Sequence, residues 1–199
     1  MNTENIHLRE ARREEAARIA ELIMMAMTED CCLYLCGNGH NIKDFHRVMT
    51  ALVEREDSQY SYRNTICAYS ADDDKVVGIC TSYDGGRLHE LRRPFIEAAS
   101  REWGMDHSNI CDETQAGELY LDSLAVDPTY RGKGIATMLL KATIEKSKTM
   151  GLPATGLLVD VGNPNAERLY NKVGFRFADT NTWGGHDMRH LVYANNQPF

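Results

Sequence analysis

A strand that runs into a glycine-rich turn and then into a helix is the feature that most constrains this chain. It occupies residues 119–136, LYLDSLAVDPTYRGKGIA. Asp127-Pro128 ends the apolar run, and Gly132 and Gly134 leave backbone N–H groups uncovered where the helix begins. The first amides of a helix have no partner within it, and the helix dipole adds partial positive charge there. The segment therefore predicts a binding site for a phosphate or pyrophosphate group.

Two common phosphate-binding motifs do not account for this turn. A P-loop needs a glycine followed by Lys and Ser or Thr, whereas Gly134 is followed by Ile135, and Thr137 leaves the three-glycine dinucleotide pattern incomplete. The residues that are present read Arg131-x-x-Gly134-x-Ala136 after a strand. This arrangement resembles the acetyl-coenzyme A signature of the GNAT superfamily of N-acetyltransferases.

A second motif strengthens the resemblance. A predicted strand at 154–161 is followed by NPNAERLYNKVGF, residues 163–175. This segment resembles the family pattern N-x-x-A-x-x-L-Y-x-x-x-G-F at six positions: Asn163, Ala166, Leu169, Tyr170, Gly174 and Phe175. Because the two motifs share no residues, their joint presence identifies the chain as similar to members of this family, with motif-level agreement over residues 119–175.

Composition limits the other classes of protein that the chain could belong to. The 199 residues contain no linker or repeat, which predicts a single domain over residues 1–199. No apolar stretch approaches the length of a membrane span, and the N-terminus lacks the basic-then-apolar pattern of a signal peptide, so we expect no membrane partner and a cytoplasmic location. A net charge of −7 argues against a nucleic-acid partner. The oligomeric state is left open, and a homodimer is one of the states allowed.

Two clusters of metal-ligand residue types do not predict a metal site. Cys31, Cys32 and Cys36 lie near His40, but the spacing is not C-x-x-C and no second pair follows. The three aspartates at 72–74 lack the alternating ligands and the glutamate of a calcium loop, and they are typical of a solvated hairpin turn. We therefore expect no metal, and we expect the cysteines to be reduced and buried or incidental.

Hydrophobic periodicity predicts alternating strands and helices, the α/β (α+β) class. The strands are expected at residues 6–8, 65–70, 76–83, 118–126, 154–161, 175–183 and 188–194, and the helices at 12–27, 42–56, 91–103, 133–149 and 164–173. The resemblance implies a mixed, mostly antiparallel central sheet flanked by helices, in which the parallel middle strands splay apart. Gly156, inside a predicted strand, indicates either a bulge or a close approach of another group to the backbone.

The segment 84–117, which precedes the signature strand, is longer than most loops in compact domains. Long loops of this kind often form lids or binding walls. We therefore treat it as a candidate wall on the acceptor side, with Tyr83, Trp103 and His107 as candidate contacts. The alternative is a helix that only covers the edge of the sheet.

The resemblance also implies how acetyl-coenzyme A is held. Its pantetheine arm would lie between the splayed strands and bind the main chain of Leu124, Ala125 and Val126, with the amide near Leu124 polarising the thioester carbonyl. Asn163 would cap its helix and bond the same arm. The pyrophosphate would be bound by the turn at Arg131, Gly132, Lys133, Gly134, Ile135 and Ala136.

Acyl transfer to an amine needs a proton acceptor for the amine and a proton donor for the departing thiolate. The family places the tyrosine equivalent to Tyr170 beside the sulfur, and a tyrosine is protonated at neutral pH, so Tyr170 is the candidate acid. Family members often have the base at a position matching Tyr120 or Asp122, and we favour Asp122. Simple alternation along the strand puts Glu118, Tyr120, Asp122, Leu124 and Val126 on one face. A β-bulge would shift that alternation.

These expectations predict an N-acetyltransferase that moves an acetyl group to a primary amine of a small molecule or peptide by direct attack in a ternary complex. None of the cysteines lies within either motif, so no covalent enzyme intermediate is expected. The alternative is a non-catalytic acyl-coenzyme A sensor or regulatory module. His186 and His190 are expected to be surface or packing residues because no acid is spaced with them in the sequence.

Overall fold

A seven-stranded sheet organises the fold in the computed structural model, which describes residues 5–72 and 74–195. The strand order is β1-β2-β3-β4-β5-β7-β6, and every neighbouring pair is antiparallel except β4 and β5, which are parallel. This confirms the mixed, mostly antiparallel sheet. Asp73 of the aspartate turn and the first four residues of the N-terminal segment lie outside the described residues. The strands are β1 Ile6–Glu10, β2 Thr65–Ser70, β3 Lys75–Asp84, β4 Glu118–Val126, β5 Ala154–Asp160, β6 Arg176–Trp183 and β7 His186–Ala194.

Helices flank the sheet, and each of the predicted helices is present with small shifts at its ends. The helices are α1 Ala16–Met27, α2 Glu29–Cys36, α3 Ile42–Val53, α4 Leu88–Trp103, α5 Ile135–Thr149 and α6 Pro164–Val173. The eight-residue helix α2 was not expected, because its sequence, EDCCLYLC, has no clear helical stripe. It begins after Thr28, which has a positive φ of 73° and whose side chain accepts a hydrogen bond from the Cys31 amide. No helix in the two described stretches has the length and hydrophobicity needed to cross a bilayer.

Hydrophobic residues form a core on each face of the sheet. On one face, α1 to α4 pack on β2, β3 and β4, and Phe45 of α3 stacks on Trp103 of α4 with the ring centroids 5.1 Å apart. On the other face, α5 and α6 pack on the sheet through residues such as Leu139 and Leu140. The burial of these apolar side chains on both faces stabilises the sheet.

The parallel strands β4 and β5 are paired over only part of their length. Glu118–Leu121 of β4 pair with Ala154–Leu157 of β5. β4 then continues to Val126 and β5 to Asp160 without further pairing between the two. The strands therefore splay apart, as expected, and the peptide groups that face the gap have no partner from the opposite strand.

A β-bulge in β4 reverses the alternation of its side chains. Thr81 of β3 pairs with Ser123 and the next residue, Ser82, pairs with Leu121, so Asp122 is the extra residue. Beyond the bulge, Leu124 and Val126 pack in the α5–α6 core together with Leu121, which precedes it. The expectation that Leu124 and Val126 share a face with Tyr120 and Asp122 is therefore wrong, because it assumed an unbroken strand.

Gly156 of β5 lies against the carboxylate of Glu118. A Cβ atom at this position would overlap the carboxylate. Glu118 cannot easily move aside, because Thr114 Oγ1 donates a hydrogen bond to it at 2.6 Å and His190 Nε2 bonds it at 2.9 Å. The second of the two interpretations of Gly156, a close approach to the backbone, is thus confirmed.

Gly156→Ala should lower the free energy of unfolding by about 1–3 kcal/mol, because the new methyl group displaces a side chain that is held on two sides. Urea denaturation of the purified variant measures the change. The matched control is the same substitution in a Glu118→Ala background, where the penalty should largely disappear. An equal penalty in both backgrounds would show that the Glu118 contact is not its cause.

Candidate active site

A cleft opens where the pairing of β4 and β5 ends. It has a volume of about 410 Å³ and is lined by β4, β5, α6, the α1–α2 junction and the β6–β7 hairpin. Five of the predicted site residues line it together: Tyr120, Asp122, Leu124, Asn163 and Tyr170. The other predicted residues lie beyond it, on the last part of β4 and on the following turn. The fold thus brings the two sequence motifs to one site.

Helix α6 presents Tyr170 to the cleft. The Asn163 side chain caps the helix by accepting a hydrogen bond from the Ala166 amide at 3.2 Å, and Pro164 occupies the first turn. The Tyr170 ring packs edge-on against Phe175, with the centroids 6.0 Å apart. Burial raises the pKa of Tyr170 well above its usual value, so its hydroxyl is protonated at neutral pH. Such a group can donate a proton but cannot act as a base.

Asp122 lies at the bulge and is half-buried in the cleft. Ser123 Oγ donates a hydrogen bond to it at 2.8 Å, and Gln59 Nε2 lies 3.4 Å from its second oxygen. Burial, with the charge of Glu113 as a second cause, raises the pKa of Asp122 to about 7. A carboxylate with a pKa near neutrality is suited to accept a proton at physiological pH.

Glu113, which the sequence analysis did not single out, belongs to the long connection before β4 and lines the cleft near Asp122. Tyr83 donates a hydrogen bond to it at 2.9 Å, and Arg92 of α4 forms an ion pair with it. Gln59 Nε2 lies 3.5 Å from it and so bridges Glu113 and Asp122. The segment 84–117 therefore supplies one acidic residue to the cleft wall and holds it in place.

Trp103 and His107, the other candidate contacts of that segment, do not line the cleft. Trp103 is part of the helical core. His107 Nε2 donates to the carbonyl of Leu35 at 2.8 Å, and its ring stacks on Phe95. Both residues are buried because the second half of α4 and the segment after it pack against α2 and α3, whereas Leu88 and Leu91 at the start of α4 pack on the sheet. Tyr83 acts on the cleft through Glu113.

The turn after β4 leaves the start of α5 uncapped by any side chain. Gly134 is the N-cap residue, with φ of 78°, and Gly132 has φ of 75°. The first bond of the helix joins the Met138 amide to the Gly134 carbonyl at 3.0 Å. The amides of residues 135–137 therefore have no acceptor inside the helix, as the sequence predicted for an anion site.

The two basic residues of this turn are held against the turn itself. Arg131 Nε donates to the carbonyl of Val126 at 3.0 Å. Lys133 Nζ lies 4.7 Å from the centre of the Tyr130 ring. The groups left to bind an anion are then chiefly the backbone amides, with the basic side chains adding charge nearby.

Several residues that line the cleft were missed because no motif marks them. Tyr60 follows α3, Cys31 lies on α2, and Trp183 and His186 belong to the β6–β7 hairpin. These residues reach the cleft only through the tertiary fold, so periodicity and spacing carry no signal for them. Burial, together with the charge of Asp122, raises the pKa of the Cys31 thiol to about 11.

His186 is a surface residue and His190 a packing residue, as expected, but each has an acidic partner that the sequence spacing did not reveal. His186 lies 2.9 Å from Asp160, and buried His190 hydrogen-bonds with Glu118, also at 2.9 Å. The bond to Glu118 is the main cause that raises the pKa of His190. Asp160 lies on β5, the neighbour of β7, and Glu118 lies on β4, two strands away from β7, so both partners are distant from the histidines in sequence.

The residues of the cysteine cluster do not converge on a common point. Cys32 and Cys36 are buried in the helical core, and Cys31 faces the cleft. Across the described part of the chain, no group of three or more His, Cys, Asp or Glu side chains is arranged to hold a metal ion.

Asp122→Asn should stabilise the protein more at pH 8 than at pH 5. Because the pKa of Asp122 in the folded protein is about 7, above its value in the unfolded chain, the wild type loses stability as pH rises from about 4 to 7, and the loss is complete above 7. The stability advantage of the variant should therefore grow by on the order of 2 kcal/mol between those two pH values. Thermal and urea unfolding at both pH values measure it.

The matched control for that change is Asp187→Asn, which removes an exposed carboxylate that does not line the cleft. If Asp122→Asn changed stability no more than this control does at both pH values, the raised pKa of Asp122 would be disproved.

Comparison with known proteins identifies the family. The profile of the acetyltransferase (GNAT) family matches residues 39–175. Mycothiol acetyltransferase of Nocardiopsis dassonvillei is 31% identical over 105 residues, which are 51% of this chain and 28% of that relative, so the chain spans little more than a quarter of its length. The crystal structure of an acetyltransferase superposes with a TM-score of 0.77 and 26% identity, covering 96% of this chain and 100% of that one.

A more distant structure shares the fold. The putative acetyltransferase yncA from Salmonella typhimurium, solved with its cofactor acetyl-CoA, superposes with a TM-score of 0.62 and 15% identity over 98% of this chain and 96% of that one. Since the family profile covers more than half of the sequence, including β4, β5 and α6, the chain belongs to the GNAT family of acetyltransferases.

Proposed function

We propose that the protein is an N-acetyltransferase that transfers the acetyl group of acetyl-coenzyme A directly to a primary amine. The observation that carries this proposal is the cleft between β4 and β5. Uncapped helix amides follow β4, and the cleft walls carry one candidate proton acceptor, Asp122, and one candidate proton donor, Tyr170. Family membership supports the acetyl donor, and the structure of yncA with acetyl-CoA shows that this fold binds it in that protein.

The main chain around the cleft fits acetyl-coenzyme A without requiring particular side chains. Peptide groups of Leu124, Ala125 and Val126 lie where β4 has no partner in β5, and they can pair with the amides of the pantetheine arm. The free amides at the start of α5 and the turn residues 131–136 fit the pyrophosphate. Asn163 lines the same cleft and can bond the arm while it caps α6. When bound, acetyl-coenzyme A supplies an activated thioester.

Asp122 and Tyr170 divide the two proton transfers. Asp122 takes a proton from the acceptor ammonium, and the free amine forms the new C–N bond while the C–S bond breaks. Tyr170 gives its proton to the departing thiolate, and the new amide nitrogen releases its remaining extra proton to solvent. Exchange with solvent then returns Asp122 to the carboxylate and Tyr170 to the phenol. The buried hydroxyl of Tyr120, whose pKa is raised well above its usual value, is the weaker candidate base and serves as part of the wall.

A sensor that binds the coenzyme without turnover is the alternative function. It predicts the same binding but no release of coenzyme A thiol with any amine. The two proposals are therefore separated by measuring binding and turnover on the same preparation.

Tyr170→Phe should bind acetyl-coenzyme A with unchanged affinity but release coenzyme A about 100-fold more slowly, because only the proton donor is lost. Isothermal titration calorimetry gives the affinity, and thiol release gives turnover over a panel of polyamines, aminoglycosides, amino acids and peptide N-termini. Tyr34→Phe, which changes an exposed tyrosine of α2, is the control. Absence of saturable binding, or full turnover in Tyr170→Phe, would contradict the mechanism, and tight binding without turnover on any amine would favour the sensor.

Cys31→Ala should retain nearly full turnover. Cys31 is the cysteine that lines the cleft, but with a pKa of about 11 its thiol is protonated at neutral pH and is a poor nucleophile. Steady-state kinetics of the variant, together with mass spectrometry of wild type incubated with acetyl-coenzyme A alone, tests this. An acetylated Cys31 peptide combined with loss of turnover in the variant would replace direct attack by a covalent intermediate.

A further inference from the structure

The acceptor end of the cleft carries negative charge and no permanent positive charge. Three carboxylates line the cleft, Glu113, Asp122 and Asp160, whereas no lysine or arginine is among the described residues that do so. His186 lies 2.9 Å from Asp160 and is the one basic residue type among the lining residues. A ligand with a carboxylate of its own would therefore find no cationic partner there.

Arg92 lies behind Glu113 but is not free to bind a ligand anion. Only 5% of its side chain is exposed. Besides Glu113, it bonds Asp112 at 3.0 Å and the backbone carbonyls of Ile110 and Cys111 at 3.2 and 3.1 Å. Its role is thus to hold Glu113 toward the cleft.

Glu113 accepts hydrogen bonds from Tyr83 and Arg92, and Asp122 accepts one from Ser123, but the two carboxylates also lie on either side of one buried amide. They share a single donor, Gln59 Nε2, at the long distances of 3.5 and 3.4 Å. Gln59 is 3% exposed, and its side-chain oxygen, Oε1, is buried without a hydrogen-bond partner in the described part of the chain. Arg92 offsets the charge of Glu113, whereas Asp122 has no ion pair in the described part of the chain, so a cationic ligand beside both groups would stabilise the ionised form of Asp122.

Aromatic and apolar side chains enclose this acidic end. Tyr60 and Tyr120 are 3% and 5% exposed, and Met27 and Trp183 also line the cleft. Aromatic faces attract cations as well as apolar groups. The whole cleft holds about 410 Å³, which the thiol arm and the acceptor must share.

We infer that the acceptor is a small, positively charged primary amine with no carboxylate beside the amine, and that Glu113 together with Asp122 forms the subsite that binds its ammonium group. The inference rests on the proposed acetyl transfer and narrows its substrate class. It excludes α-amino acids as good acceptors, because their carboxylate would enter a region of like charge without a counter-ion.

Matched amines test this on the wild-type protein. Tyramine, tyrosine and tyrosinamide share one aromatic stem and differ in the group beside the amine, and butylamine and norvaline form an aliphatic pair with one amine each. We expect kcat/KM to be about 100-fold higher for each amine than for the corresponding amino acid, because a buried like-charge contact costs several kcal/mol. Tyrosinamide, which has the bulk of tyrosine without its charge, should react more like tyramine.

A binding measurement tests the subsite independently of acetyl transfer. The N,N,N-trimethyl derivative of tyramine cannot be acetylated, so its binding in the presence of coenzyme A, measured by calorimetry, reports recognition of the cation alone. It should bind clearly more tightly than the trimethyl derivative of tyrosine.

The double variant Arg92→Met/Glu113→Gln removes the carboxylate from the cleft without leaving a buried unpaired charge. It should raise KM for tyramine about tenfold and change kcat less. The ratio of kcat/KM for tyramine to kcat/KM for tyrosine should fall. A merely structural role would lower turnover for every amine by the same factor.

The outcomes distinguish failure of the proposed subsite from failure of the proposed acetyl transfer. Equal or better turnover of tyrosine, or a clear preference for peptide N-termini over every small amine, would overturn the subsite and leave acetyl transfer standing. No turnover of any amine despite binding of acetyl-coenzyme A would overturn the proposed function. In that case the subsite is upheld if the trimethyl derivative of tyramine binds more tightly than that of tyrosine, and overturned if it does not.

Discussion

The early end of the pairing between β4 and β5 is the constraint on which the rest of this structure depends. Four residue pairs join the strands, and beyond Leu121 and Leu157 the two strands no longer pair with each other. Unpaired peptide groups are unfavourable inside a protein, so a gap of this kind persists only where the flanking structure holds both strands apart. Here β4 is held by its ladder to β3 and β5 by its ladder to β7. The cleft is thus a property of the sheet, and loops only complete its walls.

The bulge at Asp122 links this strand geometry to chemistry. It takes one residue out of the β3–β4 ladder, and that residue is an acid placed where burial and Glu113 both oppose its charge. Glu113 is held by Tyr83 and Arg92, so the repulsion cannot be relieved by a simple rotation of its side chain. Ionisation of Asp122 lowers the stability of the fold at neutral pH, but the raised pKa makes this carboxylate suited to proton transfer. Such conflicts between stability and function are common at active sites.

Local signals in the sequence predicted the parts of the fold that local chemistry determines. The turn with Gly134, the Asn163 cap and the crowded Gly156 are consequences of backbone conformation or of close approach, and each was found from a few adjacent residues. The bulge was not predictable, since nothing in LYLDSLAV distinguishes an irregular strand from a regular one. Glu113 and the acid partners of the histidines were missed for a related reason, because pairing across strands and packing of α4 bring together residues that are far apart in sequence.

Charge is distributed unevenly along the cleft, and in the proposed reaction this asymmetry orients both substrates. Uncapped amides at the start of α5 attract the diphosphate, whereas Glu113 and Asp122 repel it and attract the ammonium. A coenzyme bound in the opposite direction would bring its phosphates against two carboxylates, so only one direction is favourable. In the proposed reaction the thioester would lie between Tyr170 and Asp122, with the proton donor beside the leaving sulfur and the proton acceptor beside the amine. The electrostatic pattern proposed to select the substrates would therefore also determine which catalytic group each reacting atom meets.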